Sequence, residues 1–182
     1  MSGRYKVSEN DIPHFVTFTV VGWIDVFTRE IYKEKLVESL KFCVLHKGLI
    51  IYAWIIMPNH IHLIISSKGK KISEIVRDFK KYTSSQITEM IKEHPLESRK
   101  TWMLNIFSFA GKRNNSNTNY QFWKHDYHPI ELDTYDKFLQ RLNYLHENPV
   151  RAGLVWEAWH YKYSSAIDYY TDKKGLIEVE II

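Results

Sequence analysis

Apolar and polar residues change period several times along the chain, and each change marks an element. Residues 14–23, HFVTFTVVGW, alternate aromatic or β-branched side chains with Thr and close near Gly22, which predicts a strand. Thr28 stands where an N-cap is expected, with Glu30 in the turn after it. Tyr32, Leu36, Leu40, Cys43 and Val44 follow at helical spacing until Gly48. Residues 48–57 and 60–66 then read as two strands, and Pro58-Asn59 between them is short enough to make a hairpin. After a charged loop at 68–71, Ser73 is the expected cap of a second helix. Its apolar stripe is Ile72, Val76, Phe79, Ile87, Met90 and Ile91, and Pro95 ends the segment. Strand, helix, hairpin, helix is the order of an α+β, ferredoxin-like (RRM-like) fold, an antiparallel sheet with helices on one face.

Beyond Pro95 the pattern is thinner. Residues 95–120 read as an inserted or mobile loop, ending in the polar run GKRNNSNTNY. Residues 120–124 suggest a short strand, and residues 133–148 a third helix stopped by Pro149. Ser164 or Ser165 can cap one more short helix, and the tail GLIEVEII alternates like an edge strand. No internal repeat is visible, and the expectation is a single domain over residues 1–182.

The third helix carries a residue out of place. Tyr135, Phe138, Leu139, Leu142 and Leu145 form its expected core stripe, whereas Tyr144 falls nearly opposite, on a face with Lys137, Arg141 and Asn148. A tyrosine off the core stripe is commonly a plain surface residue. It can also be a covalent nucleophile where a base, a cation or a metal assists the phenol. Asn148 can offer an amide oxygen to a metal, or can simply end a helix before proline.

The hairpin carries a second anomaly. Within IYAWIIMPNHIHLIIS, His60 and His62 occupy alternate positions of a strand, so both imidazoles project from one face. They can hydrogen-bond within a polar pocket, or offer two neutral nitrogens to one metal ion. A zinc hydrolase would want more histidines and an acidic residue close behind. Leu63, Ile64 and Ile65 follow instead. Two ligands with open positions suit a hard cation that also binds substrate phosphate.

Composition narrows the partner. With 45% hydrophobic and 25% charged residues the chain is globular, and its longest apolar run is too short for a bilayer. MSGRYKVSEN lacks a signal-peptide core, and the lone Cys43 fits a reducing compartment, so a cytoplasmic protein without a membrane partner is expected. A net charge of +4 and a pI near 9.0 lean toward a polyanion. An aromatic content of 15% suits unpaired bases, which stack on π-faces while cations hold the phosphates.

MPNHIHLII resembles the His-hydrophobic-His motif of the single-tyrosine HUH transposases. RLNYLHENPVRAGLV resembles the tyrosine helix of their REP-associated branch, and FWKHDYHP and YKYSSAIDYY are similar to the segments around it. The likeness spans residues 15–169, interrupted at 95–119. It implies a nuclease and strand transferase acting on single-stranded DNA near hairpins. By that resemblance His60 and His62 hold Mg²⁺ or Mn²⁺, and Tyr144 attacks phosphorus, leaving a 5′-phosphotyrosine and a free 3′-hydroxyl. Asn148 stands where insertion-sequence relatives carry a glutamine, a shorter reach that favours the REP-associated branch.

For DNA contacts the sequence offers Arg77, Lys80 and Lys81 on one face of the second helix, and Lys112 and Arg113 before the asparagines. Trp123, His125, Arg141 and Arg151 flank the expected site. Tyr144 can serve the histidines of its own chain or those of a partner in a homodimer. The competing expectation is a hairpin-DNA-binding module or repressor of the same fold that does not cut.

Overall fold

The structure is a computed structural model that describes residues 12–113, 120–125 and 128–182. Four strands, β1 (His14–Thr19), β2 (Leu49–Ile56), β3 (His60–Ser67) and β4 (Ile130–Glu131), form one antiparallel sheet in the order β2-β3-β1-β4. With β1 and β3 central, this is the expected ferredoxin-like arrangement. Helices α1 (Glu30–Lys47) and α2 (Ile72–Glu93) cover one face. There Val16, Phe18, Trp54, Ile56, Ile61 and Leu63 of the sheet pack on Leu36, Leu40, Val76 and Phe79.

The tyrosine-bearing helix α4 (Tyr135–Arg151) takes the other face. Phe138, Leu142 and Leu145 pack there on Phe15, Ala53, Ile55 and Ile64. Both faces of β2 and β3 are therefore covered, which is why these strands read as continuous apolar runs rather than alternating ones. At 25 cal/mol per Å², each such buried aliphatic side chain contributes about 1.5–3 kcal/mol. Among the described residues no helix is long and apolar enough to cross a membrane.

Several elements differ from the sequence pattern. The α1 cap is Arg29 rather than Thr28, whose hydroxyl donates to Asp25 O (3.1 Å). Arg29 is held by Glu97 (2.8 Å) and the Leu96 carbonyl (2.6 Å), a tie across the fold that local capping rules do not contain. Gly48 does end α1, in the left-handed conformation at φ 73°. Lys71, not Ser73, precedes α2.

Within 95–120, where a loop is expected, α3 (Lys100–Lys112) inserts Met103 and Phe107 into the core. Residues 114–119 of that stretch lie outside the described ones. Residues 120–124 make a single bridge, Val20 to Trp123, rather than a strand. Pro149 lies inside α4 and not after it. In the last turn proline sacrifices one hydrogen bond and keeps a helical φ, and burial of its ring favours continuation. Tyr135, assigned to the core stripe, is exposed in the first turn.

A short helix α5 (Ala166–Tyr170) follows Ser165, with Ser164 Oγ accepting from Ala166 N (3.1 Å). The C-terminal tail forms no ladder. Ile56 N bonds to Tyr163 O and Ser165 N to Trp54 O, so residues 163–165 already occupy the free edge of β2. The tail contributes one backbone bond, Glu180 N to Ile51 O (2.9 Å), and buries Ile177.

Candidate active site

Antiparallel register places Thr17 opposite His62 and Thr19 opposite His60, on the face that α4 covers. The two imidazoles lie 4.6 Å apart between centroids with their planes at 70°. His62 shares a 2.7 Å hydrogen bond between its Nδ1 and Thr17 Oγ1, and its ring stacks on Phe15 at 5.1 Å. His60 is held by its neighbour, with Nδ1 2.6 Å from Asn59 Oδ1. Asn59 Nδ2 donates to the Trp23 carbonyl (3.3 Å), which aims the amide oxygen at His60. Facing that oxygen, Nδ1 of His60 carries the proton, and Nε2 is left with its lone pair.

Burial keeps both rings neutral. It lowers His60 from 6.5 to about 4. It lowers His62 to about 3, helped by His60 and by the positive charges of Arg141 and Arg151. His62 Nε2 is buried and has no hydrogen-bond partner among the described residues. An orphaned imidazole nitrogen is costly unless something else engages it. Two neutral imidazoles, each fixed through Nδ1, are a partial donor set that a divalent cation can use, so the residues present fit such an ion. Among the described residues no group of three or more His, Cys, Asp or Glu comes together. An additional donor is therefore an amide, a phenol or a ligand oxygen.

Tyr144 comes from α4. Its ring meets His62 edge-on at 5.5 Å between centroids and Phe15 at 6.0 Å, while 38% of the residue remains exposed. It is thus off the buried stripe, as its helical position requires, yet turned toward the histidines and not away from the sheet. Arg151 donates to the Tyr144 carbonyl (2.9 Å) and lies 4.7 Å from the centre of its ring. Arg141 lies 5.3 Å from the Phe15 ring. One turn past Tyr144, Asn148 buries an amide nitrogen without a partner among the described residues.

The remaining sequence candidates divide. Trp123 is 4% exposed, packed on Phe18, Phe27 and Phe122, with Nε1 donating to Thr83 Oγ1 (3.0 Å). Its indole is therefore built into the core rather than presented at the surface. Its backbone is pinned to the end of β1 by Val21 N–Phe122 O and Lys124 N–Thr19 O, and this turns the indole inward. Arg77, Lys80 and Lys81 lie on α2, across the sheet from the histidines. Arg77 pairs with Asp78 (3.1 Å), Lys80 donates to Lys124 O (2.9 Å), and Lys81 is exposed. Lys112 and Arg113 are exposed at the end of α3, the latter over Phe109, and His125 is exposed.

Sequence reasoning missed Thr17, Asn59 and Phe15, which orient the histidines. It also missed His146, a buried residue of α4 with Nε2 2.9 Å from Ser165 Oγ. The alternation of Thr with aromatics in β1 is the signal that could have found Thr17, since it puts a hydroxyl on the histidine face.

A family model described as "Transposase IS200 like" matches residues 12–118, more than half of the chain. The match includes both histidines and ends before α4. No curated protein matches. Among solved structures, a REP-associated tyrosine transposase bound to a REP hairpin aligns with a TM-score of 0.61 and 15% identity, over 99% of this chain and 92% of that one. At that identity the likeness is one of fold. A putative transposase from Deinococcus radiodurans R1 aligns over 80% of this chain and 98% of that one, with a TM-score of 0.46 and 15% identity.

Proposed function

The chain belongs to the family of IS200-like transposases, and on that premise we propose that it cuts and rejoins single-stranded DNA near hairpins, with Tyr144 as nucleophile. The observation that carries this reading is the meeting of Tyr144 with His62 on one face of the sheet. Two segments distant in sequence bring a phenol and two neutral imidazoles to a single place. A hairpin as partner draws on the fold shared with the REP-associated enzyme, which was bound to one. The shorter Asn148 in place of glutamine fits the same branch.

His60 and His62 would hold Mg²⁺ or Mn²⁺ through Nε2, with the Asn148 amide oxygen and a phosphate oxygen as further donors. Bound there, the ion would neutralise charge on the scissile phosphate and make phosphorus more electrophilic. Tyr144 Oη attacks phosphorus and loses its proton, and the bond to the 3′ oxygen breaks. One product is a 5′-phosphate ester on Tyr144; the other is a strand ending in a 3′-hydroxyl. Attack by a 3′-hydroxyl on that ester reverses the step, so rejoining requires no ATP. Arg141, by the Phe15 ring, and Arg151, by the Tyr144 ring, would meet the phosphate charge. Tyr144 meets His62 within one chain, which supports a site built from a single subunit.

The other reading is a hairpin-binding module that does not cut. It draws on the family match ending at residue 118, before Tyr144. End-labelled hairpin oligonucleotides separate the two. With Mn²⁺, label on the 3′ end should travel with the protein, and label on the 5′ end should be released as a shortened free strand. Tight binding with both labels intact would favour the module.

A further inference from the structure

Trp23 has the only left-handed backbone among the described non-glycine residues, at φ 57°. A bulky side chain rarely adopts that region, because its Cβ crowds the backbone, and such strain persists only where the surroundings enforce it. The preceding backbone and two hydrogen bonds do so here. Gly22 before it is also left-handed (φ 67°), Trp23 N donates to Val20 O (3.0 Å), and Asn59 Nδ2 donates to Trp23 O (3.3 Å). The result is not core packing. Trp54 is fully buried and Trp123 nearly so, whereas Trp23 remains 58% exposed. Its indole stands edge-on to His60, 6.3 Å between centroids and 75° between planes.

A cation accompanies it. Lys124 Nζ lies 4.3 Å from the centre of the Trp23 indole. The Lys124 backbone is fixed at both ends, since its N–H donates to Thr19 O (2.8 Å) and its carbonyl accepts from Lys80 Nζ (2.9 Å). A half-exposed indole with an ammonium fixed over one face is the chemistry that binds an unpaired nucleotide, the other face of the ring taking the base and the cation its phosphate. The amide that fixes Trp23 is also the one that orients His60.

We propose that Trp23 and Lys124 form a stacking subsite for one unpaired base beside the phosphate at His60 and His62, fixing which phosphate is presented to Tyr144. This rests on the single-stranded DNA reading given above. Lys80, expected from sequence to touch phosphate, acts here by anchoring Lys124.

The test uses hairpin oligonucleotides with an unpaired flank carrying 2-aminopurine at one position at a time, bound to the full chain in EDTA. At one position the wild-type protein should quench the fluorescence. Trp23→Asn, whose side chain tolerates the left-handed backbone, should abolish that quenching and weaken binding about tenfold, with the unfolding midpoint unchanged or higher. Trp23→Phe should restore part of the quenching. An abasic site at the same position should weaken wild-type binding about as much, and Trp23→Asn no further. Equal quenching and affinity in Trp23→Asn, with the wild type binding and cutting, would overturn the subsite alone. A wild-type chain that bound none of these oligonucleotides would overturn the DNA reading, and the subsite with it.

Discussion

Tyr144 and His62 meet ring to ring at 5.5 Å, edge against face, with Phe15 closing the third side. The contact joins a helix to a central strand across the sheet surface, inside one chain. Two singly inactive variants, His60→Ala and Tyr144→Phe, should therefore not rescue each other when mixed. A site shared between subunits would recover up to about a quarter to a half of the activity in mixed dimers. Cleavage of a hairpin oligonucleotide by the mixture distinguishes the two.

Thr17→Val should weaken divalent metal binding without unfolding the protein. Val nearly preserves the shape of Thr but removes the 2.7 Å partner of His62 Nδ1. Loss of such an orienting partner typically costs 10–100-fold in metal affinity. Titration with Mn²⁺ measures it, and an unchanged affinity would mean that the hydroxyl does not orient the ring.

Acid should destabilise the fold before the carboxylates titrate. His146 is buried, and burial lowers it from 6.5 to about 4. The unfolded chain then binds the extra proton first, so stability is complete above pH 6.5 and falls as pH drops toward 4. His146 alone contributes roughly 3 kcal/mol of that loss. His60 and His62 add to it in the same direction. Urea midpoints in EDTA between pH 7.5 and about 4.5 should show the decline, and His146→Gln should make it shallower, leaving the part due to His60 and His62.

Trp123→Ala should act on stability rather than on DNA. It removes a buried indole and its bond to Thr83, which costs about 3–5 kcal/mol. Where the variant is still folded, the salt dependence of its hairpin binding should match the wild type. A reduced slope would return Trp123 to the interface.

What the linear pattern revealed was local. The hairpin over Pro58-Asn59 and the stop at Gly48 were legible because turn chemistry and left-handed glycine leave signatures within a few residues. So was the alternation that puts His60 and His62 on one face. By contrast, α3 buries only Met103, Phe107 and Gly111, too few positions to stand out beside a basic, asparagine-rich run. The two-residue β4 has no period to detect. Trp123 and Trp23 look alike in sequence, and only the register with Val20 and the backbone at Gly22-Trp23 separate a core indole from an exposed one. The helical wheel set Tyr144 apart from the core stripe, but α4 had to be laid on the sheet before that face could be seen to meet His62.

The most direct measurement is covalent trapping. The protein is incubated with Mn²⁺ or Mg²⁺ and hairpin-bearing single-stranded DNA, denatured, and the adduct digested and mapped by mass spectrometry, with Tyr144→Phe, His60→Ala and EDTA as controls. A metal-dependent adduct on Tyr144, lost in all three controls, is the expected result. Tight hairpin binding without an adduct under either metal, or an adduct that survives in Tyr144→Phe, would contradict the role assigned to this tyrosine.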